Sequence, residues 1–153
     1  MPRLELKVPP DLVAIVVAAM MWLVSRVTPS LDVPSAYRVP VAVVLLASAV
    51  AFIGAARVEL AKAGTTFSPI APDRSTRLVT GGVYRLTRNP MYLGTLLALL
   101  ALAVLLSNPY SAVVAALFVA YMNRFQIVPE ERVLSARFGA AYEEYASVVR
   151  RWL

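Results

Sequence analysis

Long uncharged, apolar stretches alternate with shorter charged segments along this chain. The first stretch begins at Leu12 and ends before Thr28, and the second lies between Arg38 and Arg57. About 20 helical residues, at about 1.5 Å each, cross a hydrocarbon core about 30 Å thick. The two stretches therefore predict membrane-spanning helices over about 11–28 and 39–57.

The third apolar stretch, 91–123, is too long for one span. Its thirty-three uncharged residues would form a helix of about 50 Å. The run Ser107, Asn108 and Pro109 in its middle is typical of a turn. We therefore predict a hairpin of helices over about 90–106 and 110–127, and an all-α, polytopic membrane protein with four transmembrane helices.

Two polar segments remain, a connector over 58–90 and a tail over 128–153. The connector's helix-breaking residues permit a turn or short strand and no long helix, and they are Gly64, Pro69, Pro72, Gly81 and Gly82. The tail has apolar residues at helical steps of three and four, namely Leu134, Phe138, Ala141, Tyr142, Tyr145, Val148 and Val149. This spacing predicts one amphipathic helix, which is also typical of a helix lying on the membrane surface. With no internal repeat, 1–153 is predicted to be a single domain.

The N-terminus resembles a secretory signal, because Arg3 and Lys7 precede the first apolar stretch. The segment 24–27 is a poor cleavage site, since it contains Arg26 and lacks the small-residue pattern. We expect an uncleaved first helix.

Composition supports a membrane chain, with 59% hydrophobic and 16% charged residues. Of fifteen Lys and Arg, only Arg26 and Arg38 fall in the loop between the first two helices. Basic residues concentrate on the cytoplasmic side of membrane proteins. Both termini, the connector and the tail are therefore predicted to be cytoplasmic. Topology explains the net charge of +6, so no nucleic-acid partner is expected.

The chain contains no Cys and no His. Disulfides, thiolate nucleophiles and zinc–thiolate sites are excluded, and the commonest general base and metal ligand are missing. We expect no metal site. Any chemistry must use carboxylates, Arg, Tyr, Asn and a bound cofactor.

The connector ends in a segment suited to an anion. Asn89 and Pro90 form a good helix start, with Asn as N-cap and Pro at the first helical position. The N–H groups of such a helix end, together with Arg85 and Arg88, favour a carboxylate or phosphate. The arginines are equally explained as membrane-side anchors, so both interpretations stay open.

A second polar cluster begins the tail at Glu130 and Glu131. Carboxylates are stabilised at a helix start by the helix dipole, which alone explains their presence. They also suit a cationic ligand. The residue types do not decide between these interpretations.

Three segments together resemble a known family. They are Gly82 to Tyr84, Arg88 to Gly94, and Glu130 to Tyr142. They are similar to the signature of the isoprenylcysteine carboxyl methyltransferases and related phospholipid methyltransferases, which are small integral-membrane enzymes that use S-adenosylmethionine. The resemblance covers about the C-terminal half of the chain.

The resemblance implies an S-adenosylmethionine pocket and a methyl-transfer activity at the cytoplasmic face. The positions that match cofactor-binding residues are Thr76, Arg77, Leu78, Val79, Tyr84, Asn89, Pro90, Met91, Tyr92, Glu130 and Glu131. Those expected to act in catalysis are Glu130, Tyr92 and Arg88.

One position departs from the signature in a way that bears on the methyl acceptor. Gln126 stands where relatives place an arginine that holds the substrate, and Arg124 lies two residues away. Gln126 and Arg124 are the candidate substrate-binding residues. Because Gln lacks the bidentate charge pairing of Arg, the acceptor stays open among an isoprenylcysteine-like carboxylate, a phospholipid amine and a thiol.

Two other functions remain as alternatives. A non-catalytic membrane adaptor would use the tail helix as its partner surface. A small four-helix transporter needs an ionisable residue within the membrane, and only Arg26 and Glu59 come near one. The sequence predicts a lipid-bilayer partner and leaves the oligomeric state open.

Overall fold

The computed structural model describes residues 5–65 and 76–153. The helices are α1 (Pro10–Val27), α2 (Ser35–Lys62), α3 (Pro90–Leu106), α4 (Pro109–Tyr121), α5 (Val128–Phe138) and α6 (Ala140–Val148). A 3₁₀ turn covers Gly82–Arg85, and a π-helical segment, Met122–Ile127, joins α4 to α5. The described residues contain no strand, which confirms the all-α prediction. The connector residues Pro69 and Pro72 lie outside the described part.

In the described part of the chain, three helices are long and apolar enough to cross a membrane. They are Pro10–Val27, Ser35–Lys62 and Pro109–Phe138. The apolar α3 is shorter, with 17 residues. The structure thus gives three candidate spans of a multi-pass membrane protein, and a fourth span through α3 stays a prediction.

The second helix is longer than the sequence predicts. It has 28 residues and extends past Arg57 to Lys62, whose ammonium lies 2.8 Å from a Glu59 carboxylate oxygen. The first charged residue at Arg57 suggested the boundary of the membrane span. A helix does not need to end where its apolar stretch ends. Beyond the membrane it can continue into water, because its side chains there are polar.

The prediction of one tail helix is wrong. The helix that begins at Pro109 continues without interruption through the π-helical segment and α5 to Phe138. It stops at Gly139, whose φ of +53° is a left-handed conformation that glycine adopts readily. Because α6 starts anew after this break, the predicted apolar face is not continuous. Tyr142, Tyr145 and Val149 are buried, but Val148 is 78% exposed.

The predicted turn between the last two apolar helices is confirmed at Ser107 and Asn108. The Asn108 side chain caps α4 by accepting a hydrogen bond from the Ser111 N–H at 2.9 Å. The Asn108 amide also donates to the Thr28 hydroxyl at 2.9 Å. The turn therefore also fixes the loop between α1 and α2.

Close packing holds α2 against α3. A Cβ atom added at Gly94 would lie 2.6 Å from Ile53 Cγ1 and 2.9 Å from the Ala49 carbonyl oxygen. Small residues permit such backbone approach between apolar helices. On the other side, α1 packs on α4 and α3, with Met21 and Phe118 fully buried.

Candidate functional site

A cavity lies where the start of α3, the 3₁₀ turn, α5 and α6 meet. It is partly open to solvent and, with its open side included, contains about 730 Å³ of space not filled by protein atoms. The predicted site residues that line it are Arg77, Leu78, Val79, Tyr84, Arg88, Asn89, Pro90, Met91, Tyr92, Glu130 and Glu131. Segments that are separate in sequence thus converge on one pocket.

The start of α3 forms one wall of this cavity. The helix begins at Pro90 with Asn89 in the N-cap position, as predicted, but no side chain within 5–65 and 76–153 caps its first turn. The Asn89 amide instead donates to the Arg151 carbonyl oxygen at 2.9 Å, and the Thr87 hydroxyl donates to the same oxygen at 3.1 Å. These bonds tie the end of the tail to the start of α3. They leave the positive end of the helix dipole facing the cavity without a protein carboxylate as its cap.

A buried hydrogen-bonded group forms the wall between α3 and the continuous helix. The Tyr92 hydroxyl donates to a Glu130 carboxylate oxygen at 3.0 Å. The Gln126 side chain hydrogen-bonds with both Tyr92 and Glu130. Gln126 is 2% exposed and does not line the cavity itself. It contacts the cavity wall from behind, through its hydrogen bonds to these two residues.

Three charged side chains connect α3, α5 and the tail. The Arg88 guanidinium lies 3.2 Å from a Glu131 oxygen. Arg151 makes two hydrogen bonds to Glu131, at 3.0 and 2.7 Å. These bonds hold the pKa of Arg151 above its usual range. Paired planar groups of this kind fix the orientation of both partners.

Arg88 has hydrogen-bonding capacity left over. Its Nε atom is buried and has no hydrogen-bond partner among the described residues. A buried, unpaired donor costs about 1–3 kcal/mol, and more for a charged group. Since Arg88 lines the cavity, an anionic ligand group there would supply the missing acceptor.

Tyrosines close the side of the cavity next to α6. The Tyr145 hydroxyl donates to the Tyr84 carbonyl oxygen at 2.7 Å, which joins α6 to the 3₁₀ turn. Burial is the main cause that raises the pKa of Tyr84 and Tyr145, and it raises that of Tyr142 to about 12. At neutral pH these hydroxyls are therefore protonated and serve as hydrogen-bonding groups.

The 3₁₀ turn itself depends on a glycine. Gly82 has φ +56°, and an added Cβ would lie 2.6 Å from the Glu59 Cδ atom. The backbone conformation favours glycine here, and the Glu59 side chain would have to shift to admit a Cβ atom. The turn in this way brings Tyr84 into the cavity wall.

Two predicted site residues lie elsewhere. Thr76 is at the edge, where its N–H donates to the Thr65 hydroxyl at 3.1 Å, and it does not line the cavity. Arg124 points away and lies 2.8 Å from a Glu5 carboxylate oxygen. Residues two apart along a helix lie on roughly opposite faces, so Arg124 does not share the direction of Gln126. Arg124 does not line the cavity, and its role in substrate binding stays a prediction.

Sequence reasoning missed other residues of the cavity wall. Leu60 and Thr65 come from the end of α2 and the residues after it, and Ile127 from the π-helical segment. No motif marks these positions, and only the unexpected length of α2 brings Leu60 to the site. Leu134, Tyr142 and Tyr145 were predicted as one helix face and prove to be cavity residues.

No group of three or more acidic side chains that could hold a metal ion occurs within 5–65 and 76–153. With no His or Cys in the sequence, the donors present at the cavity are the carboxylates, hydroxyls and guanidinium described above.

The fold and the cavity define a class of protein: a multi-pass helical membrane protein with a cavity, lined by both polar and apolar side chains, at one end of its apolar helices. The chain belongs to the phospholipid methyltransferase family, since the family model matches residues 37–141. The matched region begins in α2 and includes most of the cavity wall.

Individual proteins similar to this chain include two named methyltransferases. An uncharacterized protein of Haemophilus influenzae is 43% identical over 63 residues, which are 41% of this chain and all of that protein. Protein-S-isoprenylcysteine O-methyltransferase A of Arabidopsis thaliana is 46% identical over 72 residues, 47% of this chain and 36% of that protein. Protein-S-isoprenylcysteine O-methyltransferase of Schizosaccharomyces pombe is 32% identical over 93 residues, 59% of this chain and 39% of that protein.

The chain thus matches well under half the length of these named methyltransferases. No solved structure is significantly similar to it.

Proposed function

We propose that this chain is an S-adenosylmethionine-dependent methyltransferase that acts at the cytoplasmic face of a membrane on a lipophilic or small acceptor. The acceptor classes are an isoprenylcysteine-like carboxylate, a phospholipid amine and a thiol. The observation that carries the proposal is that residues matching the family's cofactor-binding positions, which are dispersed along the sequence, line one cavity.

The residues present fit S-adenosylmethionine. Arg88, with its unpaired buried Nε, and the uncapped start of α3 suit the carboxylate of the methionine part. Glu130 suits the ammonium or the ribose hydroxyls, and Leu78 and Val79 offer apolar surface to the adenine. When bound, the cofactor would supply the methyl group.

The protein's own contribution is mainly positioning. Methyl transfer requires a nucleophile held in line at about 3–3.5 Å, and such placement accounts for much of the rate enhancement. The Tyr92–Glu130 hydrogen bond fixes two polar groups in the cavity wall. A carboxylate or thiolate acceptor needs no base, whereas an amine must lose a proton. Glu130 is the carboxylate best placed to accept that proton.

The proposed topology has four spans with the cavity on the cytoplasmic side. Helix α3, with 17 residues, would extend about 25 Å and complete the hairpin with α4. Basic residues around the cavity, including Arg77, Arg85 and Arg88, support a cytoplasmic position by the positive-inside rule. A polar cofactor would then enter from the cytoplasm.

The adaptor alternative required an exposed apolar surface on the tail helix for a partner to bind. The apolar side of α6 was its candidate interface, but Tyr142 and Tyr145 are buried inside the protein. The cavity also does not support a transporter, which needs an ionisable residue within the membrane. It lies at one end of the helices, on the side that the proposed topology places in the cytoplasm.

Labelled methyl transfer tests the proposal. Purified protein is incubated with membrane extract and S-adenosylmethionine labelled in its methyl group, and lipid-extractable and thiol products are counted. We expect label in one product class, and a rate at least tenfold lower for Glu130→Gln, in the range of lost acid–base or positioning contributions. Glu144→Gln, an exposed site on α6, is the matched control. Absence of label from every product, or equal rates for both variants, would contradict the proposal.

A further inference from the structure

A groove lies at the end of α3 that is remote from the cavity described above. With its open side included, it contains about 670 Å³ of space not filled by protein atoms. It is lined by the first turns of α2, by Ala103 and Val104 of α3 and by the start of α4. Both α2 and α4 pack on α3, but within the described residues they make at most a weak contact with each other. The groove is therefore the gap that these two helices leave beside α3, and we call it the α2–α4 groove.

Apolar side chains form most of the wall of the α2–α4 groove. Val41 on α2 and Ala112 on α4 both line it and are both exposed. Leu31 and Val33, from the loop between α1 and α2, line it as well. Two hydrogen bonds with Ser107, at 2.7 and 2.9 Å, hold Leu31 at the turn between α3 and α4. An open groove with such walls, between apolar helices, suits a hydrocarbon chain.

Among the described residues, Arg38 is the one charged side chain that lines the α2–α4 groove. It lies in the first turn of α2 and is half-buried. Its Nη1 donates to the Leu105 carbonyl oxygen at 3.0 Å, a contact that the negative end of the α3 helix dipole explains. A guanidinium has five N–H donors, and no carboxylate in 5–65 or 76–153 forms an ion pair with this one. Arg38 therefore has donors and a positive charge available for an anion.

The other polar side chains of the groove differ in how far they are engaged. The Asn108 amide donates to the Thr28 hydroxyl at 2.9 Å, and the Ser107 hydroxyl donates to the Leu31 carbonyl oxygen at 2.9 Å. Tyr37, which precedes Arg38, is 69% exposed. Tyrosine is typical of the boundary between membrane and water. Arg38 and Tyr37 thus form the polar end of a groove that is otherwise apolar.

We propose that the α2–α4 groove binds a phospholipid with an anionic head group. The head group binds Arg38, with the Tyr37 hydroxyl beside it, and one acyl chain lies against α3 between α2 and α4. Such a lipid joins two helices that the protein itself leaves in at most weak contact. The groove shares no lining residue with the cavity at the start of α3, so the inference is independent of the proposed methyl transfer.

The charge at the polar end of the groove distinguishes an anionic lipid from other occupants. A zwitterionic head group carries a cation that needs a carboxylate, and none lines the groove among the described residues. Asp32, in the adjoining loop, is exposed and does not line it. An uncharged occupant, such as an apolar helix of a second copy, would leave Arg38 against hydrocarbon without an anion, which is costly. An anionic phospholipid satisfies both the charge and the apolar walls.

Photochemical labelling of the groove tests this proposal. A phosphatidylglycerol and a phosphatidylcholine, each with a diazirine at the same acyl-chain position, are added separately to the protein in detergent and irradiated. Labelled residues are mapped by mass spectrometry, and only the yield on residues 103–112 is counted, which leaves out lipid bound at the other end of the helices.

Two variants and two matched controls accompany the wild type. Arg38→Gln removes the charge, and Arg26→Gln is its control, at the exposed end of α1 and outside the groove. Ala112→Phe narrows the groove. Its control is Val113→Phe, at the neighbouring α4 residue, which is 69% exposed and does not line the groove.

We expect phosphatidylglycerol to label the wild-type groove about fivefold more than phosphatidylcholine, the preference that one basic side chain gives for anionic lipid. Arg38→Gln should remove this preference, and Arg26→Gln should keep it. Ala112→Phe should lower labelling by both lipids, and Val113→Phe should not. Equal labelling by the two lipids in wild type, or the same result from a variant and its control, overturns the proposal.

A salt titration of the wild type gives a test that does not depend on any variant folding. Since salt screens exposed charges, the phosphatidylglycerol preference should fall as the salt concentration rises. A preference that does not change with salt would exclude Arg38 as its cause and overturn the proposal.

Discussion

At the scale of single residues, Gln126 links the family signature to the geometry of the cavity. It occupies the position of a substrate-holding arginine in the signature, yet its buried amide hydrogen-bonds with Tyr92 and Glu130. Because the Tyr92 hydroxyl already donates its proton to Glu130, the Gln126 amide is the donor to both groups, and unlike a guanidinium it adds no charge. The site therefore organises its carboxylate through hydrogen bonds instead of through an added positive charge.

Removing one of those hydrogen bonds gives the first prediction. Tyr92→Phe deletes the hydroxyl that donates to Glu130 at 3.0 Å and keeps the ring. Because a hydrogen bond to a charged group contributes about 1.5–3 kcal/mol, we expect at least a tenfold loss of S-adenosylmethionine affinity by calorimetry. Tyr121→Phe, at a tyrosine of α4 that does not line the cavity, should leave the affinity unchanged. Equal affinities in all three proteins would refute the role of Tyr92.

Gly82 gives a prediction about stability. Gly82→Ala must accept both a φ of +56° and a contact of less than 3 Å with Glu59. Gly64→Ala has a similar φ, +63°, with nothing within 4 Å of the new Cβ. A left-handed conformation costs a non-glycine residue about 1–2 kcal/mol. Thermal unfolding in detergent should therefore show both variants destabilised and Gly82→Ala more so, and a smaller effect at Gly82 would contradict the close approach of α2.

At the scale of helices, packing between α2 and α3 positions the start of α3 and hence the cavity wall. The sequence predicted both apolar helices, since uncharged stretches of this length have few alternatives. It could not predict that α2 would reach Leu60. The end of the apolar stretch marks no helix end, because the polar residues that follow also favour a helix. Nor did apolar spacing reveal the break at Gly139, since one left-handed glycine resets the helical register without changing the residue pattern.

A pair of helical glycines tests the packing of α2 against α3. An added Cβ at Gly94 meets Ile53 and the Ala49 backbone oxygen at less than 3 Å, whereas at Gly54 it meets nothing within 4 Å. Gly94→Ala should lower thermal stability in detergent, since a backbone atom cannot easily move aside. Gly54→Ala should be neutral or stabilising by about 1 kcal/mol, because alanine favours helix. The opposite order would show that the helices do not approach closely at Gly94.

The segment before α1 is attached to the continuous helix by a carboxylate. Glu5 lies 2.8 Å from Arg124 and 3.1 Å from Arg132, and the Leu6 N–H donates to the Phe125 carbonyl oxygen at 3.0 Å. The hydrogen bond from Arg124 is the main cause that holds the pKa of Glu5 below its usual value.

This attachment should depend on pH. A lowered pKa in the folded state means that the stabilising contribution is present above the ordinary pKa of Glu5 and is lost as pH falls through the lowered value. Hydrogen exchange of the Leu6 amide should be slower in wild type than in Glu5→Gln at neutral pH. The two rates should converge below about pH 4. A ratio that does not change with pH would exclude the ion pair as the cause.

At the scale of the whole molecule, the cavity and most of the basic residues lie at the same end of the apolar helices. The cavity lies at the end of the helices where the sequence concentrates its basic residues, which supports a cytoplasmic site. The sequence could predict most of the cavity, because the residues of the family's motifs form two of its walls. One wall is the start of α3, and the other is α5. The sequence could not predict that Leu60 and Thr65 line the cavity, since no motif marks the end of α2.

Direct binding of S-adenosylmethionine to the purified protein is the most direct test of the central claim. Calorimetric titration in detergent should give one site per chain with a dissociation constant in the micromolar range. Glu130→Ala should weaken that affinity at least tenfold, while Glu144→Ala should not change it. A wild-type protein that shows no binding, or an unchanged affinity in Glu130→Ala, would contradict the assignment of the cavity as the cofactor pocket.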